Sequence, residues 1–166
     1  MSMKKTFILV LIFNSIISCD LTTKKVAESE VNNFSDTEEI EEVKKLIIDS
    51  FDDIWSDLDS TKIAKYYTDD FMLLENGIVW NSDSVKTYLN REHKEVEIQK
   101  YNRFNKFDFL KSVHNQTSIW IAYNNYGTWV KGTDTLGTVH WLESVIAIND
   151  QEKWKIQQLH STTVRR

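Results

Sequence analysis

Along this chain the spacing of apolar residues changes from a helical period to a strand period. From Ile40 to Leu58 they recur every three or four residues, at Ile40, Val43, Ile47, Phe51, Ile54, Trp55 and Leu58. That spacing predicts an amphipathic helix with one stripe on a core. Ser35-Asp36-Thr37-Glu38 has the form of a capping box at its start, and Glu38, Glu39, Glu41 and Glu42 suit the positive end of its dipole. A short second helix capped by Asp59 or Ser60 carries Ile63, Ala64, Tyr66 and Tyr67. Short strands over 71–74 and 78–80 flank Glu75-Asn76-Gly77, in which Asn-Gly is a hairpin signal. Ser82 is expected to cap a third helix over about 83–93, with Val85, Tyr88 and Leu89 inward.

Beyond residue 95 the chain reads as extended. A stretch over 96–113 is rich in Phe and Tyr. His114-Asn115-Gln116 turns it into a long strand over 117–130, and a turn over 131–135 leads to a terminal hairpin with strands over 139–148 and 154–164. Asn149, Asp150, Gln151 and Glu152 are turn formers without apolar content. A four-residue loop there pairs Ala147 with Trp154, Val145 with Ile156, Glu143 with Gln158 and Trp141 with His160. One face then runs from apolar residues near the turn to Trp141, Glu143, Gln158 and His160 at the far end, a composition that suits a pocket wall. Three helices followed by four long antiparallel strands give an α+β class: a cone-shaped, curved antiparallel sheet wrapping the N-terminal helices.

Composition narrows the function. The 166 residues suffice for one domain with a core; 41% are apolar and 12% aromatic, with six Trp, which excludes a disordered chain. The net charge is −5 and no basic cluster is present, so nucleic acid is not an expected partner. The one cysteine, Cys19, excludes an internal disulfide. It follows a basic start and an apolar run too short to span a bilayer, and Ile16-Ile17-Ser18-Cys19 resembles the bacterial lipobox. The resemblance implies cleavage before Cys19 and a lipid on its sulfur. The expected organisation is a lipoprotein signal peptide over 1–18, a lipidated tether over 19–34 and a domain over 35–166.

Four histidines lack metal-ligand spacing, and no nucleotide loop, catalytic-serine elbow or HExxH is present; neither a metal nor a cofactor is expected. Glu143 and His160, one register step apart on the expected face, form the strongest acid–base pair, because a carboxylate beside a histidine orients it and raises its basicity. The same pair can also serve only to fix sheet register. On the strand over 117–130, Trp120, Ala122, Asn124 and Tyr126 share a face whose aromatic and amide side chains suit a flat ligand; Trp80 is a further candidate, and core packing or a dimer surface accounts for each of them equally. Apolar residues on the hairpin's second face, Leu142, Ile146, Ile148 and Leu159, point to a homodimer or another protein partner.

The terminal pattern Trp141-Leu142-Glu143-Ser144, an acidic turn, Trp154-Lys155-Ile156 and His160-Ser161-Thr162 resembles the end of the SnoaL-like branch of the nuclear transport factor 2-like superfamily, over roughly residues 35–166. That superfamily includes isomerases, cyclases, hydrolases and members that only bind. Tyr67-Thr68-Asp69-Asp70 and the strand after it resemble the ketosteroid isomerase branch. There the general-base carboxylate falls on Glu75, the helix-one tyrosine on Phe51, which cannot donate a proton, and the second acid near Glu143 or Ser144. The expected function is an envelope lipoprotein binding a small, partly apolar molecule in the cone. The alternatives are a cofactor-free acid–base enzyme using Glu143 and His160, and an interaction module acting through the outer sheet face.

Overall fold

The computed structural model describes residues 33–165, with side chains from Thr37. The signal segment, Cys19 and the tether up to residue 32 lie outside the described residues. Helix α1 (Asn33–Ser50) begins two residues before the expected cap at Ser35 and continues as a π-helical segment (Phe51–Ser56). A 3₁₀ turn (Ser60–Lys62) capped by the Asp59 side chain leads into α2 (Ile63–Tyr66). Then come β1 (Tyr67–Glu75), β2 (Ile78–Trp80), α3 (Ser82–Gln99), β3 (Asn102–Asn115), β4 (Ser118–Lys131), β5 (Asp134–Asp150) and β6 (Lys153–Thr163). The six strands form one curved sheet in the order β2-β1-β6-β5-β4-β3. All neighbours are antiparallel except β1 and β6, which run parallel.

The stripe expected on α1 is buried. Val43, Ile47, Phe51 and Ile54 are shielded from solvent and meet Ile119, Ile121, Tyr123, Val145, Ile156 and Leu159 of the inner sheet face in one core. Fully burying side chains of this size is worth about 1.5–3 kcal/mol each, so helix and sheet hold each other in place. The Asn-Gly hairpin forms as expected, with Glu75 opposite Ile78 and positive φ at Asn76 (48°) and Gly77 (87°). Asn76 then ties this turn to β6: its Oδ1 accepts from the Thr163 backbone N–H at 3.0 Å and its backbone N–H donates to the Ser161 carbonyl at 3.2 Å.

Beyond a β1 that starts at Tyr67 and a β5 that starts at Asp134, both ends of α3 differ from the expectation. Helix α3 is capped by Asn81, whose Oδ1 accepts from the Ser84 N–H at 2.9 Å, and not by Ser82. It also runs on to Gln99, since Val96 extends the Val85-Leu89 stripe at helical spacing and Lys100, at φ 60°, closes it in the left-handed region.

The terminal hairpin differs more consequentially. Its loop is the two-residue turn Gln151-Glu152, both at positive φ (51° and 65°), so Asn149 faces Trp154 and Ala147 faces Ile156. This matches the twist-compatible primed turn of a tight hairpin. Gln157 is then an extra residue on β6: Ala147 pairs with Ile156 but Ile146 with Gln158. Such a bulge reverses which side chains face inward beyond it. Val145 therefore faces Leu159, Glu143 faces Ser161 and Trp141 faces Thr163, while Ser144 faces His160. The pairing of Glu143 with Gln158 and of Trp141 with His160 does not form, and Leu159, expected on the outer face, is a buried core residue.

Candidate functional site

The inner sheet face carries a polar row at one end. Glu75 on β1, Ser161 on β6, Glu143 on β5 and Tyr123 on β4 are successive register partners across four adjacent strands. Residue types that would be costly in a core stand here in line, next to the apolar row Leu73, Leu159 and Val145. Glu75, Ser161 and Glu143 of this row border a cavity of about 250 Å³. Phe51 and Trp55 of the π-helical segment, Trp80 at the end of β2, Tyr88 of α3 and Trp141 of β5 wall it. The π-helical turn puts these two large rings near each other, with centroids 6.2 Å apart. The Trp55 Nε1–H donates to the Tyr67 hydroxyl at 2.9 Å, which holds the indole as part of the wall. On β5, the Trp141 ring lies over Gly127 of β4: a Cβ there would come within 2.6 Å of Trp141 Cζ3. Only glycine leaves the indole this position.

Glu143 is the most deeply placed carboxyl, 5% exposed. The Asn125 Nδ2–H donates to its Oε2 at 3.1 Å. Burial raises its pKa to about 7, with Ser161, Asn125 and the charge of Arg103 pulling it partly back and Glu75 raising it further. At neutral pH a substantial fraction is thus protonated and can donate a hydrogen bond. Burial and the neighbouring Glu143 raise the pKa of the Tyr123 hydroxyl well above its ordinary value, and Asn125 Oδ1 has no hydrogen-bond partner among the described residues. Glu75 is half-buried at the cavity edge. Desolvation raises its pKa while Ser161, Arg103 and His160 lower it.

The cation of the cavity is Arg103, on β3. Its guanidinium lies 5.0 Å from the Trp141 ring centroid, 5.3 Å from that of Trp129 and 6.0 Å from that of Phe51. Its Nε–H donates to Asn105 Oδ1 at 3.1 Å, and Asn105 in turn donates to Ser56 Oγ at 2.9 Å, linking the strand to the helical segment.

The structure therefore brings together Glu143, Glu75, Trp141, Trp80 and Phe51 around one cavity. It does not bring His160 there. His160 is exposed on the outer face, with Thr162 Oγ1 3.3 Å from its Nε2. Gln158, opposite Ile146, is on that outer face too, because the Gln157 bulge turns both away from Glu143. Trp120 and Tyr126 share a face as expected, but it is the outer one: along β4 the buried positions are Ile119, Ile121, Tyr123 and Asn125, and Tyr126 stacks on His140 at 4.5 Å. Sequence reasoning passed over Arg103, Trp55, Tyr88, Ser161 and Asn125 as site residues. Arg103 had a signal: with Asn105, Phe107 and Phe109 it occupies alternate positions of one strand face. Among the described residues no three His, Cys, Asp or Glu side chains are grouped to hold a metal ion.

Solved structures share this arrangement of elements. ActVI-ORFA from Streptomyces coelicolor is similar with a TM-score of 0.65 at 15% identity, covering 78% of this chain and 98% of its own. A nuclear transport factor 2-like protein with a cystatin-like fold from Novosphingobium aromaticivorans is similar with a TM-score of 0.64 at 9% identity, covering 77% and 83%. The fold is nuclear transport factor 2-like. A protein of unknown function from Mycobacterium tuberculosis has it as well, with a TM-score of 0.63 at 15% identity, over 80% of this chain and 75% of its own. No protein-family model matches the chain, and no curated protein does. In a nuclear transport factor 2-like cone the chemistry resides in the side chains that line it, because the fold hosts unrelated functions.

Proposed function

We propose that this chain is an envelope lipoprotein whose nuclear transport factor 2-like domain binds a small, partly apolar, ring-containing molecule in the cavity between Trp141 and Trp80. The observation that supports binding is the cavity's composition: aromatic walls on four elements and a polar row on the sheet, with Glu143 kept buried beyond what folding needs. A small domain does not gain stability from a buried carboxyl with a raised pKa, and such groups concentrate at functional sites. Lipobox-like residues ending in Cys19 support the envelope location.

Three tryptophans of the cavity wall, Trp55, Trp80 and Trp141, make the test direct. Small bicyclic compounds titrated into the full-length chain should quench tryptophan fluorescence saturably. Trp141→Ala should weaken that binding about tenfold or more while leaving the melting transition cooperative. A panel of such compounds that gives no saturable signal at about 1 mM would remove the reading.

A second reading is favoured by one observation, the two carboxyl groups of unequal burial in one cavity. Glu75, at the half-exposed edge, is placed to take a proton, and protonated Glu143 to donate a hydrogen bond to a developing oxyanion. His160 takes no part in it. Exchange of the α-protons of 2-tetralone for deuterium, followed by NMR, should be accelerated by the native chain and not by Glu75→Gln; equal rates for the two would leave binding alone.

A further inference from the structure

We infer that the molecule taken by this cavity carries a carboxylate, held by Arg103 through the edge of its guanidinium. The inference rests on the binding reading above and names its ligand class. Arg103 lines the cavity, half-buried, and its partial removal from water pushes its pKa down. Trp141 and Trp129 pack near the guanidinium at 5.0 and 5.3 Å, and Phe51 at 6.0 Å. A planar cation held among aromatic rings has its position fixed and leaves its in-plane N–H groups for recognition. It has five such donors. Only the Nε–H has a side-chain or backbone acceptor among the described residues, Asn105 Oδ1.

No carboxylate of the described residues completes an ion pair with it. The ion pairs of the domain involve Lys44, Lys45, Lys65, Arg91, Lys155 and histidines. Glu143 and Glu75 feel the Arg103 charge without meeting it. Glu143, with its pKa raised to about 7, is charged only part of the time near neutral pH, so it offsets the guanidinium incompletely. A half-buried cation among aromatic rings, with donors left unfilled, is better held when an acceptor meets them. The acceptor that fits two parallel N–H groups of a guanidinium is a planar two-oxygen anion, a carboxylate. Beside it, protonated Glu143 is a hydrogen-bond donor to the same oxygens rather than a competing charge. The aromatic walls take the ligand's apolar ring.

The test compares three probes of one shape in the full-length chain by isothermal titration calorimetry: 2-naphthoate, neutral 2-naphthamide and cationic 2-naphthyltrimethylammonium. The native chain should bind 2-naphthoate at least about tenfold tighter than the amide. In Arg103→Gln the carboxylate and the amide should bind within about twofold of each other, with amide affinity retained. Native selectivity is measured independently of the variant, so it decides even where Arg103→Gln does not fold. The amide binding as tightly as the carboxylate, or the ammonium binding tightest, overturns the carboxylate assignment and leaves the pocket reading intact. Selectivity surviving in folded Arg103→Gln overturns the role of Arg103. Failure of all three probes to bind at about 1 mM overturns the pocket reading and this inference with it.

Discussion

Glu143 is the residue at which folding and the proposed function pull in opposite directions. Its folded pKa of about 7 stands above the ordinary 4.5 because the carboxylate is cut off from water. The native state therefore holds a proton that the unfolded chain releases between these two values. Stability is highest below pH 4.5 as far as this group is concerned, falls as pH rises from 4.5 to 7, and is constant above. The full loss amounts to about 3 kcal/mol. Glu143→Gln keeps an acceptor for Asn125 and removes the ionisation. It should melt well above the native chain at pH 8 and close to it at pH 4.5, as followed by circular dichroism. Equal melting of the two at pH 8 would mean that the carboxylate is solvated after all. The gain in stability should come with altered ligand binding, as expected when a strained group is retained for use.

At the scale of elements, the hairpin turn and the bulge set the site. The turn residues Gln151 and Glu152 both occupy the left-handed region, at φ 51° and 65°, where neither side chain is at ease. A left-handed L-residue costs roughly 1–2 kcal/mol, and Asn-Gly is the pair suited to this turn. Gln151→Asn with Glu152→Gly should thus raise stability by about 1 kcal/mol and leave binding unchanged, since the turn is at the other end of the hairpin from Glu143. A lowered denaturation midpoint would contradict the turn assignment. On the neighbouring strand, Gln157 both makes the bulge and donates from Nε2 to Asp70 Oδ2 at 2.9 Å, which ties β6 to β1 where their register shifts. The π-helical end of α1 completes the site by presenting Phe51 and Trp55 to the cavity.

At the scale of the molecule, the domain has an inner face spent on core and cavity and an outer face that is in part apolar. Leu142 is 48% exposed there, and Ile146 lies on the same side of β5. We propose that a homodimer forms through this outer face, without Leu159. Analytical ultracentrifugation of the full-length chain should give a dimer, and Leu142→Arg should give a monomer; a native monomer at tens of micromolar counts against it. The N-terminal anchor is tested separately. Cys19→Ala should move the protein from the membrane fraction to the soluble fraction of a bacterial expression host, and identical fractionation of the two forms would exclude the lipid. Among the described residues no helix is long and apolar enough to cross a membrane.

The α+β class, the inward stripe of α1, the Asn76-Gly77 hairpin and the four long antiparallel strands follow from local periodicity and turn chemistry, and the sequence alone determined them. Each is decided within a few residues of chain. The aromatic membership of the cavity was legible in part, through Phe51, Trp80 and Trp141, because large rings are conspicuous in any pattern. The partner of Glu143 was not. A four-residue loop gives Gln158, the two-residue turn moves that to His160, and one extra residue at Gln157 gives Ser161 instead; a bulge has no reliable local signature and is settled by how β6 fits between β1 and β5. Arg103 likewise became a site residue only when β3, at one edge of the sheet, curled far enough for its side chain to meet Phe51 and Trp141. Contacts between residues far apart in the chain depend on register and curvature summed over the whole sheet, and these belong to the tertiary structure.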